Sequence, residues 1–470
     1  MEDFLMESAP KTKNELFPFM TLGSLIYAFW YTLCLYENKS GITYPFFIGG
    51  TCFFFFLFMK KCGHTAKPFA IFDTVSLMLL GLSTCCTSAT YLVILNKWMI
   101  LLLFLHLFLH SFYEDSNWDI FYYLGAAVKT LCSGITFLFR PITDLGDYMK
   151  ENAKDQPSRR RILLPVLLGI GIALIMLPLI LFLLCSADAV FYSMFSDALQ
   201  NFLSGYAFQK AFALLAMFLF AFLAAYCLMT RLTHPNLTDS SERKTYEPVI
   251  AITFTSIFSV VYVLFCLIQM FYLFAGLGTL PDGYTYARYA REGFFQLVFI
   301  CMLNLILVLL CIRLFKHHPA LQVLLSVISV CTFVMIASST YRMILYIHAY
   351  HLTVLRFFVL WVLLVLSVLM TGTIVAIYYD AFPFVKFFFA SITILYLMFS
   401  FAHPDYWIAK YNIAHDDSSY TYELSLDAVP AFTDKDAAAH YYRILSPDTS
   451  SSSPLKWNFS VWLAGKTAGQ

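Results

Sequence analysis

The sequence predicts an all-α fold: a polytopic transmembrane helical bundle of about eleven spans, with an amphipathic helix lying in the inner interface. Three observations predict it. Of 470 residues, 60% are hydrophobic and only 13% are charged, which is too apolar for a surface that faces water all round. Several uncharged runs reach the eighteen or so residues that cross about 30 Å of hydrocarbon. Their length and lack of alternation exclude a β-barrel.

Apolar runs and their breakers place the spans near residues 17–36, 44–59, 70–94, 98–113, 162–185, 209–229, 248–275, 294–312, 320–340, 354–378 and 385–402. The first is too long for a signal-peptide core and lacks a small-residue cleavage site, so it stays as a span. With the N-terminus inside, the inner segments hold 18 of the 30 Lys and Arg, the outer loops 7 and the tail 5, so a cytoplasmic N-terminus is expected. An odd number of spans then leaves the tail outside. Lys129, Ser133, Thr136 and Arg140 recur at i, i+4, i+7 and i+11, the polar stripe of a helix lying in the inner interface. The chain thus divides into an N-terminal four-helix region (1–113), the amphipathic helix and a basic linker (114–161), a seven-helix core (162–402) and a polar tail (403–470). The tail is too short and too polar to promise a substantial core, and a small helical appendage is expected there.

Composition also excludes functions. A net charge of +1 leaves no basic field for nucleic acid. The twelve cysteines lie mostly in apolar runs without a CxxC pair or a Cys/His zinc spacing, and read as small core residues. No phosphate-binding loop, nucleophile elbow or dinucleotide fingerprint occurs. No catalytic residue, metal site or cofactor is therefore assigned; the lipid bilayer is the one certain partner.

The stretch "LPDGYTYARYAREGFFQL", residues 280–297, concentrates polar chemistry at the mouth of a span. Asp282 offers a helix cap, and Tyr284, Arg288 and Arg291 then share a face, with Glu292 four residues after Arg288. Arg342 and Arg356 fall in the next outer connection, beside Tyr346, and Asp188 ends the fifth span at the same expected depth. The other outer connections hold only Lys39, Lys97 and Lys210. Arginine binds carboxylate or phosphate through two parallel bonds and stacks on aromatic rings. Four guanidiniums on the side where positive charge is disfavoured point to recognition of an anion, although Arg and Tyr at interfaces also anchor bundles.

Within the spans, Asp73, Gln269 and Asn304 are expensive to bury without partners. Gln269 and Asn304 are expected to cross-link helices; Asp73 lies about a turn from the inner boundary, within reach of water. His106 and His110 stand at i, i+4, a spacing that offers two imidazoles to a metal, but no third ligand is near in sequence.

The blocks "LPDGYTYARYAREGFFQL", "YRMILYIHAYHLTVLR" and "DYWIAKYNIAH" resemble those of an uncharacterised bacterial multipass family, domain-of-unknown-function family four-one-seven-three, over most of the chain. The resemblance points to Tyr289, Ala290, Arg291, Gly293, Phe294 and Phe295; to Arg342, Met343, Tyr346, Leu352, Thr353 and Arg356; and to Ile408, Ala409, Tyr411 and Asn412. His351 departs from the pattern, which has glycine before the Leu-Thr pair. The resemblance implies a bacterial plasma-membrane protein and supplies no reaction or ligand.

The leading expectation is a nonenzymatic membrane protein that binds or transports an anionic or amphiphilic ligand at an outward-facing site. Arg288, Arg291, Arg342 and Arg356 would hold the anion, Tyr284 and Tyr346 would stack or donate, and Asp188 and Glu292 would restrain the arginines when the site is empty. The alternative is a regulatory or scaffold protein that recruits a partner through its tail or its interfacial helix. A third reading is an intramembrane enzyme using His106 and His110.

Overall fold

The computed structural model describes residues 13–115, 118–152, 206–233, 246–271, 294–415, 420, 423–446 and 454–469, with isolated positions between 169 and 193. The described helices are α1 (Lys13–Leu35), α2 (Thr43–Lys61), α3 (Pro68–Cys86), α4 (Thr90–Phe112), α5 (Ile120–Thr136), α6 (Arg140–Asn152), α7 (Tyr206–Leu232) and α8 (Pro248–Gln269). They continue with α9 (Phe294–Leu314), α10 (Pro319–Tyr350), α11 (Val354–Tyr378), α12 (Phe384–Phe401), α13 (Pro404–Ala414), α14 (Lys435–Leu445) and α15 (Phe459–Thr467), with short 3-10 turns at Leu426–Ala431 and Pro454–Lys456. No strand occurs among the described residues. α3, α8, α10 and α13 each open on proline, whose fixed φ suits the first turn and whose missing N–H is not needed there.

Ten of these helices are long and apolar enough to cross a membrane, or eleven if the bent pair α5–α6 is one span. An all-α polytopic bundle is the fold. The expected span at 162–185 falls largely outside the described residues. Two boundaries differ from the sequence reading. The break between the third and fourth spans lies at residues 87–89, not 95–97. Lys97 is therefore inside α4, over the Tyr44 ring at 5.5 Å, and Asn96 is buried, accepting from Tyr396 at 2.7 Å and Ser400 at 2.8 Å. α10 has 32 residues, which at 1.5 Å each is about 48 Å, longer than the hydrocarbon is thick. The Asp119–Arg140 segment is helical to Thr136, and α6 then departs at 65°. Leu124, Val128, Leu131 and Ile135 form an exposed apolar stripe on α5 beside exposed Lys129 and Thr136, the two-faced pattern of an interfacial helix.

The chain forms two compact units, one of residues 1–38, 46–70 and 127–236, the other of residues 39–45, 71–126 and 237–470. In the first, α1 lies along α7. Gly50 permits the close approach of α2 to α1, since a Cβ there would stand 2.1 Å from Trp30 Nε1. Buried Asp144 of α6 accepts from the Tyr226 hydroxyl at 3.0 Å and pairs with Arg140 at 3.1 Å.

In the second unit, α9 to α12 share an apolar core that includes Cys301, Met335, Leu363 and Leu366. The tail is more ordered than its composition promised. Val429, Ala438, Tyr441, Tyr442 and Ala464 give α14, α15 and the Leu426–Ala431 turn a small core of their own. Asp427 fastens this cap to the spans. Its Oδ2 accepts from Thr87 Oγ1 at 2.5 Å and lies 3.3 Å from His403 Nδ1, while its Oδ1 accepts from the Ser88 amide at 2.7 Å, from Ser88 Oγ at 2.6 Å and from Ser460 Oγ. Asn458 adds bonds to the carbonyls of Thr87 at 2.9 Å and Ser40 at 3.0 Å. These contacts explain the early break: Thr87 and Ser88 leave the helix because their donors serve a carboxylate some 340 positions away, and the Ala89 amide turns back to Thr87 Oγ1 at 3.1 Å.

Burial alone would push the Asp427 carboxyl up, but hydrogen bonds from His403, Ser460, Ser88 and Thr87 outweigh it and hold the group below the usual carboxylate range. Its folded value is thus depressed, so its stabilisation is present above the unfolded carboxylate value, about pH 4, and is lost as pH falls through the folded value. Neighbouring Asp405 has the opposite sign, since burial raises it against bonds from Ser425 and Tyr91. Asp427→Asn should loosen the cap by about 3 kcal/mol, read as faster protease cleavage within residues 403–470 with α8 to α12 still protected. Unchanged cleavage would show that the carboxylate is not the fastening.

Candidate functional site

Polar groups inside the second unit gather in a seam along α8, α9 and α10. On α8, Thr255, Ser259, Tyr262, Cys266 and Gln269 follow one another at steps of four and three, and so share a face. On α10, Ser329, Thr332, Ser339 and Arg342 follow at steps of three, seven and three and also share a face, and the two helices are in direct contact. Tyr262 donates to Asn304 Oδ1 at 2.9 Å, and Asn304 Nδ2 donates to Thr332 at 3.0 Å. Further along, Gln269 Oε1 accepts from Ser338 at 2.8 Å and from Arg342 Nη2 at 3.1 Å. Gln269 and Asn304 therefore cross-link helices, as the sequence led one to expect. The hydroxyls of Ser259 and Ser339 are buried without a hydrogen-bond partner among the described residues. From Thr255 to Gln269 the seam runs about 21 Å, most of the hydrocarbon thickness.

Arg342 stands at one end of this seam and is only 5% exposed. A guanidinium at such a place is costly and is ordinarily retained for function. Arg356 is placed differently. It donates to the carbonyls of Tyr350 and His351, closing the C-terminus of α10, and stacks on the Tyr346 ring at 4.3 Å. Tyr346 follows Arg342 by one turn, so the two arginines flank the same end of α10. Asp188 lies in the first unit, where its amide bonds the Leu184 carbonyl at 3.2 Å. Tyr284, Arg288, Arg291 and Glu292 lie outside the described residues, on the connection that joins the Gln269 end of α8 to the start of α9.

The turn between α10 and α11 was expected to need glycine, and its geometry shows why. His351 has φ 62° and ψ −178°, a region open to little but glycine. Two contacts hold it there: the Arg356 cap, and the fully buried Asn412 amide, which accepts from Leu352 N at 2.9 Å and donates to Leu352 O at 2.9 Å. This two-point clasp gives Asn412, one of the motif positions, a physical role in binding α13 to the turn.

Among the described residues, His106 and His110 are not part of any group of three His, Cys, Asp or Glu placed to hold an ion. Each imidazole instead meets a carboxylate, His106 Nδ1 with Asp73 Oδ2 and His110 Nδ1 with Asp115 Oδ2, both at 2.7 Å. Asp73, expected within reach of water, is wholly buried by α4 and its neighbours. At the same end, Arg313 of α9 pairs at 3.0 Å with Asp119, whose other oxygen caps α5 through the Tyr122 amide.

The fold and its polar interior define a multispan α-helical membrane protein with a docked C-terminal cap. Residues 74–434 match the family described as Domain of unknown function (DUF4153), and the chain belongs to that family. The motif blocks foreshadowed an uncharacterised family of this kind, and the one matched is DUF4153 rather than four-one-seven-three. No curated protein and no solved structure matches the chain.

His351→Gly should relieve the strained turn and stabilise the protein by about 1 kcal/mol, after allowing for the freedom glycine adds to the unfolded chain. Thermal melting in detergent measures it, and a lowered midpoint would mean that the histidine ring is itself a needed contact.

Proposed function

We propose that the protein binds an anionic, amphiphilic ligand at an outward-facing arginine and tyrosine site and passes its polar part along the seam, in a plasma membrane with the N-terminus cytoplasmic. The observation that carries the reading is Arg342: a buried guanidinium that donates to Gln269 at the head of a polar track in which two hydroxyls have no hydrogen-bond partner among the described residues. A seam built only for packing would satisfy its hydroxyls within their helices, as Thr255, Ser329 and Thr332 do. Arg356 and Tyr346 flank the entrance, and Arg288, Arg291 and Tyr284, from the sequence that follows α8, would supply the outer contacts, with Glu292 as a counter-charge in the empty site.

A scaffold reading draws on a separate feature, the small-cored cap of α14 and α15, which would serve as a platform for another protein. The two are separable, because deletion of residues 435–470 abolishes a scaffold and leaves ligand binding through Arg342 in place.

Purified protein in nanodiscs should bind the short-chain lipid dioctanoyl phosphatidylglycerol saturably and its phosphatidylcholine counterpart weakly. Arg342→Gln should weaken the anionic lipid by about tenfold to a hundredfold, the worth of one charge-assisted hydrogen bond, with membrane abundance unchanged. Equal binding of both lipids by both proteins contradicts the reading; a collapse in abundance makes Arg342 structural.

A further inference from the structure

We infer that the Asp73–His106 couple is a proton-binding site inside the membrane, with the His110–Asp115 couple at its mouth. Two buried carboxylates of this protein are held in contrasting ways. Where a buried carboxylate is kept as a fixed anion, at Asp427, both oxygens are occupied by donors from four residues. Asp73 is buried as completely, yet only Oδ2 is engaged, by His106, and Oδ1 has no partner among the described residues. A carboxylate in hydrocarbon with one bare oxygen is poorly held as a permanent charge. It suits a group that alternates between charge states.

The surroundings favour that alternation. His106 is walled by aromatic rings, Phe389 of α12 at 4.0 Å and Tyr123 of α5 at 5.3 Å between centroids. The Tyr123 hydroxyl is committed to the His106 carbonyl at 3.1 Å, so the imidazole and the carboxylate are left as the exchanging pair. His106 sits six residues from the end of α4, about 9 Å along its axis. One turn nearer that end, the His110 ring lies parallel to it within 6° at 5.7 Å, and Asp115 joins His110 from the connection beyond. Among the described residues, the titratable groups facing the couple are His110 from α4, Asp115 from the connection and Tyr123 from α5, and α12 places Phe389 against it. Arg313 of α9 is taken by Asp119.

The charge balance is simple. Neutral imidazole with carboxylate carries one negative charge; one proton, taken from water at the α4 C-terminal end, brings the couple to zero net charge, and its release to water restores the anion. No other bond forms or breaks. This site shares no residue with the Arg342 seam, so either proposal stands if the other fails.

The test is a proton-uptake titration of the protein in nanodiscs between about pH 8 and pH 5, the range in which histidine changes charge, followed by infrared difference spectra of carboxyl and imidazole bands. Asp73→Asn and His106→Gln, which keep size and hydrogen bonding, should each remove about one proton of uptake together with the paired carboxyl and imidazole bands. Asp115→Asn should shift the pH of uptake instead of abolishing it. Uptake and spectra that are unchanged in Asp73→Asn overturn the inference. So does a wild-type spectrum in which neither a carboxyl nor an imidazole band changes in this range, a result that needs no variant to fold.

Discussion

Hydrocarbon supplies no hydrogen bonds, so every polar group carried into the bundle must be met by another part of the chain. Helices answer this for the backbone. For side chains the answer is local gathering: Asp427 with its ring of donors, Asn304 and Gln269 across α8, α9 and α10, Asn96 with Tyr396 and Ser400, and Asp73 with His106. Where the gathering is complete, as at Asp427, the result is a fastening. Where it is incomplete among the described residues, at Ser259, Ser339 and Asp73 Oδ1, the bundle carries unmet polar demand, and the functional proposals rest on these positions.

The cap illustrates how a weak module becomes part of a strong one. α14 and α15 bury few large side chains between them, too little for a domain of their own. Their order comes from attachment. Asp427, Asn458 and Asn412 bind three separate inter-helix connections, at 40–42, 87–88 and 351–352. In each case a side chain satisfies backbone or hydroxyl groups that helix ends leave exposed. The same device holds His351 in a conformation that the residue itself disfavours, so the strain of that turn and the docking of α13 are one energetic unit.

Much of the fold was legible because crossing a bilayer demands long uncharged runs, and the ends of α1, α7, α9, α11 and α12 follow from where those runs stop. The break at residues 87–89 was not legible. Thr, Ser and Ala are compatible with a membrane helix, and what ends α3 is Asp427, far away in sequence; by contrast Asn96 and Lys97 look like a loop and are buried or stacked inside α4. The pairing of His106 and His110 on one face was visible from their spacing, while their partners Asp73 and Asp115 came only with the packing of α3 and of the connection before α5. Arg342 and Arg356 look alike in sequence. One is buried beside an amide and the other closes a helix end, a distinction set by carbonyls and rings that no local pattern records.

The claim on which this account turns is that the seam between α8 and α10 is a polar path and not merely tight packing. Cysteine accessibility measures it directly. With the native thiols replaced, single cysteines at Ser259 and Ser339 should react with a small, membrane-impermeant cationic methanethiosulfonate, whereas cysteines at lipid-facing Val260 and Val330 should not. Seam cysteines as inert as the lipid-facing pair would contradict the account and leave those residues as packing alone.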